Sequence, residues 1–259
     1  MSFPSGRLTL GGILYRPRGD GRFPAVLYNH GSAPGMANDQ AFAAIGPRFA
    51  ARGWVFFAPY RRGQGLSAAA GAYIGDQIAA ARQSGGTAAG AAEMVRLLAG
   101  DHLDDQLAAL AWLRAAPFVD PHRIAAAGNS FGGIETVLGV ERADYCAGLD
   151  AAGGAESWSQ APALQSLMTR AVKDARAPIL FFQADNDFDL APTRVLSAAM
   201  REAGKPAKAI IYPAFGGSPR DGHAFAWRAS EIWFEDALAF LEASCGSAAT
   251  GNSAARPDR

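Results

Sequence analysis

The chain has 259 residues, is 49% hydrophobic, and balances 24 Lys and Arg against 24 Asp and Glu for a formal net charge of +0. Even charge with no basic block argues against a nucleic-acid or anionic-membrane partner. No run of about eighteen apolar residues offers a membrane span, and residues 1–12 lack the basic-then-apolar pattern of a secretory leader, so a soluble, cytoplasmic protein is expected.

The length and apolar content suit one α/β domain over residues 1–245, followed by a small-residue flexible tail over 246–259. Residues 7–16 read as two short strands turning at Gly11-Gly12, an edge hairpin. Residues 23–28 (Phe-Pro-Ala-Val-Leu-Tyr) are the first continuous apolar strand, with proline at its start where a missing donor is tolerated. This strand runs into Asn29-His30-Gly31-Ser32. Residues 39–52 carry Phe42, Ile45 and Phe49 at helical spacing, with Gly53 as the stop. Residues 54–59 form a second apolar strand, followed by Tyr60-Arg61-Arg62-Gly63-Gln64-Gly65-Leu66-Ser67, whose arginines read as solvated. Residues 68–100 are rich in Ala and Gly and poor in large apolar groups. A helix over 103–115 ends before Pro117.

The informative stretch is 123–133, Arg-Ile-Ala-Ala-Ala-Gly-Asn-Ser-Phe-Gly-Gly. An uncharged run leads into glycines two positions either side of Ser130, and Ile134, Val137 and Leu138 then recur at helical spacing. A buried strand, a sharp turn and a helix start are thereby compressed around one hydroxyl, with the amide groups of the new helix pointing toward it. Further strands are expected at 145–152, 178–182 and 209–213, with helices within 158–175, 192–204 and 230–241. After the 178–182 strand come three alternating aspartates, Asp185, Asp187 and Asp189; after the last strand comes Asp221-Gly222-His223. A serine hydroxyl needs an imidazole to take its proton and a carboxylate to hold that imidazole. His223 is the base these residues offer, and each aspartate lies where it could serve as the acid. Cys146 and Cys245 read as packing residues or bystander thiols rather than a disulfide.

The Gly-x-Ser-x-Gly turn, with acid and histidine following in that order, resembles the nucleophile elbow of the α/β-hydrolase superfamily. The Asp-Pro-x-Arg-Ile approach at 120–124 resembles the dienelactone hydrolase and prolyl-oligopeptidase-like branch, and the likeness over residues 7–241 is closest to the dienelactone hydrolase family. That resemblance implies a mostly parallel central sheet with helices on both faces and a small cover insertion at 68–100. It selects Asp187 as the acid, four residues after Gln183, which stands where glycine is usual. It also implies backbone NH groups of Ser32 and Phe131 as oxyanion donors, with His30 bracing the loop. Trp158, Phe188, Phe225 and Tyr73 are the candidate pocket residues.

With serine at the elbow, the chain resembles the family's serine members, many of them carboxylesterases. The expected activity is hydrolysis of small or medium acyl esters through an acyl-enzyme, with a small-molecule ester as partner, no cofactor, no metal, and homo-oligomerisation left open. The rival readings are a lactone hydrolase, a prolyl-oligopeptidase-like peptidase, and a noncatalytic binding protein on the same fold.

Overall fold

The computed structural model describes residues 1–246; the part of the expected tail at 247–259 lies outside them. Eight strands form one sheet: β1 (Ser2–Ser5), β2 (Leu8–Tyr15), β3 (Phe23–Asn29), β4 (Val55–Pro59), β5 (Val119–Asn129), β6 (Gly148–Ala151), β7 (Ile179–Ala184) and β8 (Ala207–Tyr212). Their spatial order is β1-β2-β4-β3-β5-β6-β7-β8. The first two pairings, β1 with β2 and β2 with β4, are antiparallel; every pairing from β4 through β8 is parallel.

Strands covered on both faces must be apolar at every position, and that is how the central ones read. In β4, Val55 and Phe57 enter one core while Phe56 and Ala58 enter the other. The first core is covered by α2 (Ile74–Ala99), α3 (Asp101–Ala115), α4 (Phe131–Arg142), α5 (Pro162–Asp174) and α6 (Ala191–Glu202). The second lies under α1 (Asp39–Ala51), the short α8 (Phe225–Arg228) and α9 (Ser230–Cys245); the one-turn α7 (Pro219–His223) precedes α8. Among the described residues no helix is long and apolar enough to cross a membrane.

Three expectations change. Gly11 and Gly12 do not turn: β2 runs straight through them, and the edge hairpin turns instead at Gly6, whose φ is +57°. The two glycines are there for close packing, since a Cβ on Gly12 would sit 2.6 Å from the Phe57 ring and one on Gly11 would press on Leu66. Residues 74–99, unreadable by pattern, are the helix α2, interrupted at Gly86 with φ +76° and burying Ile74 at its start but a stripe of Met94, Leu97 and Leu98 only near its end. A helix that buries a stripe over half its length shows no clean period across the whole.

The third change is a disulfide between Cys146 and Cys245, whose Cα atoms are 5.1 Å apart across 99 residues of sequence. It fastens the end of α9 to the segment entering β6. Closing a loop of about 100 residues removes denatured-state entropy worth up to about 4.7 kcal/mol in the chain-entropy model. Reduction, or the double substitution C146S/C245S, should therefore lower Tm by on the order of 10 °C, given about 2–4 °C per kcal/mol for a chain of this size. Calorimetry with and without reductant checks this; an unchanged Tm would mean the bridge stabilises nothing.

Candidate active site

Strand β5 delivers Ser130 to the carboxyl edge of the sheet. A Cβ on Gly128 would collide with the carbonyls of Gly132 and Asn29, and one on Gly132 with Asn29 again, so the strand-to-helix turn closes only with glycine at both places. Ser130 itself has φ 56° and ψ −121°, a conformation that costs of order 1–3 kcal/mol for a residue with a Cβ. The surroundings hold it there: Ser130 N–H donates to Ala151 O at 3.0 Å, and Gly133 and Ile134 donate back to Ser130 O at 2.9 and 3.2 Å. Phe131 opens α4, so its N–H has no acceptor within the helix and lies in the positive end of the helix field.

The loop after β3 runs alongside. A Cβ built on Gly31 would lie 3.6 Å from Ser130 Cβ, which places the Gly31–Ser32 peptide next to the serine. Ser32 Oγ is 3.0 Å from the hydroxyl of Tyr73, the residue capping α2. His30 is fully buried. Its Nε2 accepts from Arg61 N–H at 3.2 Å, so its proton sits on Nδ1, which donates to Gly31 O at 2.6 Å. Burial, with Arg61 adding to it, holds His30 well below the usual imidazole pKa, and the ring stays neutral.

On the other side, His223 Nδ1 is 2.8 Å from Asp187 Oδ1. His223 ends α7, and α7 is started by Ser218, whose side chain accepts from Asp221 N–H. Asn186 ties the two segments together: its amide donates to Phe215 O and Ser218 O, each at 3.0 Å, while its oxygen accepts from Phe215 N–H at 2.9 Å. The three aspartates have separate fates. Asp187 is buried against His223, Asp185 is exposed, and Asp189 accepts from Ala191 N–H at the start of α6. Gln183, in the place of a glycine, hydrogen-bonds Asp189 O and Thr193 Oγ1 and so braces this turn. With Nδ1 paired to the carboxylate, His223 Nε2 carries the free lone pair; it is buried and has no hydrogen-bond partner among the described residues.

Of the aromatic pocket candidates, Phe188 is 42% exposed with its ring 5.4 Å from that of His223, and Tyr73 reaches Ser32. The other two are core residues. Phe225 is buried between Tyr212 and Phe215, at ring separations of 5.1 and 5.9 Å, and Trp158 is buried in the core with Leu164 and Met168. Large aromatic surfaces gain most where they are fully covered.

Sequence reasoning also missed three charged residues. Arg61 is 3% exposed and pairs with the fully buried Glu135 at 2.8 Å, while Arg62, partly exposed, pairs with the buried Asp105 at 2.7 Å. Glu135, the one acid among apolar positions of α4, was the available signal. The third is Asp150 in β6, buried beside Gly133 and accepting from Gly153 N–H at 2.8 Å.

Burial pushes the Asp150 carboxyl up to about 7, well above its unfolded value. Between the unfolded and folded pKa the native state holds a proton that the unfolded state has released, so stability from this group falls as pH rises from about 4 to about 7. Asp150→Asn removes that slope. Its Tm, compared with wild type, should gain steadily from pH 4 to pH 7 and level off above; a difference independent of pH would show that Asp150 is ionised throughout. Among the described residues no group of His, Cys, Asp and Glu is placed to hold a metal ion.

Solved structures share this architecture. An acylaminoacyl peptidase of Pyrococcus horikoshii superposes with a TM-score of 0.65 at 18% identity over 95% of this chain, which spans 41% of that protein's length. Est1E of Butyrivibrio proteoclasticus, solved with ferulic acid bound, gives 0.66 at 14% identity, with 92% of this chain and 99% of that one covered. A candidate dienelactone hydrolase of Klebsiella pneumoniae subsp. pneumoniae gives 0.67 at 18% identity, covering 93% and 95%. At such identities the likeness speaks for the fold alone, that of the α/β-hydrolases. No curated protein matches the sequence. The model of the dienelactone hydrolase family, however, matches residues 10–247, nearly the whole length from β2 to the end of α9, and the chain belongs to that family of hydrolases.

Proposed function

We propose that this protein is a serine carboxylesterase that cleaves esters of small or medium acyl groups through an acyl-enzyme. The observation that carries the reading is the buried Asp187–His223 pair, with Nε2 left free, on the same sheet edge as a serine held at φ 56°. Ser130 Oγ attacks the ester carbonyl and its proton passes to His223 Nε2. The negative charge on the former carbonyl oxygen meets the N–H groups of Ser32 and Phe131. Collapse returns the proton from Nε2 to the departing alcohol, and water then repeats the sequence on the acyl-serine. Proton transfer requires Oγ and Nε2 to come within hydrogen-bond reach in the substrate complex, since such contacts often tighten only on binding. Phe188, half-exposed beside His223, and Tyr73, at the start of the 68–100 segment, are the walls such a substrate would meet.

The test is a panel of p-nitrophenyl esters from acetate to palmitate, with a lactone and a proline-containing peptide amide in parallel. Preferred hydrolysis of the short esters supports the reading. Hydrolysis of the lactone or amide at a higher rate than any ester overturns it in favour of those activities. The Cys146–Cys245 bridge supports residence in an oxidising compartment rather than the cytoplasm expected from sequence, because structural disulfides are rare where thiols are kept reduced.

A further inference from the structure

The buried Arg61–Glu135 pair is unused by the chemistry above, and ion pairs are costly to bury. Arg61 makes four contacts that bear on the oxyanion site, three through its guanidinium and one through its main chain. Its NH1 donates to His30 O at 2.7 Å and to Glu135 Oε2 at 2.8 Å; its NH2 donates to Gly31 O at 3.1 Å, and its main-chain N–H binds His30 Nε2 at 3.2 Å. Two consecutive carbonyls are thus held by a single rigid fork, a geometry that a lysine point charge cannot reproduce.

The consequence follows from the peptide bond. Gly31 C=O and Ser32 N–H belong to one planar trans unit, so they point in opposite directions. Anchoring the carbonyl inward on Arg61 and on His30 Nδ1–H turns the Ser32 N–H outward, and the Gly31 backbone lies next to Ser130. The other anchor point matters equally. Glu135 lies on α4 four residues after Phe131, so the ion pair fastens the loop carrying one oxyanion donor to the helix carrying the other.

Resting on the esterase reading, we propose that Arg61 and Glu135 are positioning residues that fix the Ser32 and Phe131 amide groups relative to each other for the transition state. They touch no substrate. Losing them should therefore leave ground-state binding nearly intact and weaken the binding of tetrahedral species.

Breaking one partner alone would strand a buried charge, so the main variant is the double substitution R61M/E135Q, which removes both charges. Its kcat on the best ester should fall about 100-fold, the cost of losing one oxyanion donor, with KM within about threefold. Affinity for a boronic acid that forms a tetrahedral adduct on the serine should fall by a similar factor. Arg61→Lys keeps the buried charge but holds only one carbonyl, and should lose roughly tenfold in kcat. Far-UV circular dichroism and Tm establish that each variant is folded. A folded R61M/E135Q with kcat within threefold of wild type overturns the proposal, and so does a loss confined to KM; if the double variant does not fold, full activity in Arg61→Lys overturns it. Failure of the underlying reading looks different: wild type itself would hydrolyse no ester, and a fluorophosphonate probe would not label Ser130.

Discussion

The Ser130→Ala protein is expected to fold normally and to lose at least about 10⁴-fold in kcat on p-nitrophenyl acetate, because removal of a nucleophile leaves only binding and oxyanion stabilisation to act. The substitution deletes one oxygen and no buried methylene. The unusual φ of residue 130 is set by Gly128, Gly132 and the hydrogen bond to Ala151 O rather than by the hydroxyl, so Tm should move by no more than a degree or two. Steady-state hydrolysis and a fluorophosphonate label, read on both proteins, decide the matter. Activity retained above a few per cent would remove Ser130 from the mechanism, and with it the esterase reading.

Asp187→Asn should lower kcat by roughly 10³-fold with little change in KM, somewhat less than when a neutral partner lets the imidazole take the wrong tautomer. The reason lies in how Asp187 Oδ1 is used: it accepts from Phe188 N–H at 2.7 Å as well as facing His223 Nδ1. An asparagine is thereby made to present its oxygen to the same two groups, and the tautomer survives. What disappears is the negative charge that stabilises the imidazolium formed as Ser130 attacks, at a side chain buried from solvent. The neighbouring acids are the controls. Asp185→Asn should leave kcat within about twofold, since that side chain is exposed. Asp189→Asn should affect the start of α6 and hence stability before rate. A large loss in Asp185→Asn with little in Asp187→Asn would reassign the acid.

How much of this was legible before folding depended on the distance over which each interaction acts. The parallel strands show in residues 23–28, 54–59 and 178–182 because burial on both faces demands unbroken apolar runs. The elbow shows because a turn so tight fixes glycine at set offsets from the serine. Position narrows the acid to three aspartates and the family resemblance selects Asp187, while its meeting with His223 depends on how the Gln183–Pro192 turn sits against α7. Phe225 and Trp158 looked like pocket residues because an aromatic near a site motif can face either way, and only the packing of Tyr212, Phe215 and Met168 decides which.

By itself, then, the sequence determined what local chemistry can determine: strands from apolar runs, a nucleophile turn from glycine spacing, and the order of serine, acid and histidine. Tertiary structure alone decided which partners meet across the chain. Arg61 finds Glu135 across 74 residues and Cys146 finds Cys245 across 99, pairings with no periodic trace because neither partner's neighbours reveal where the other will lie. A solvated arginine and a buried one have the same letters around them. What separates them is whether folding brings a carboxylate and two carbonyls within reach of the same guanidinium.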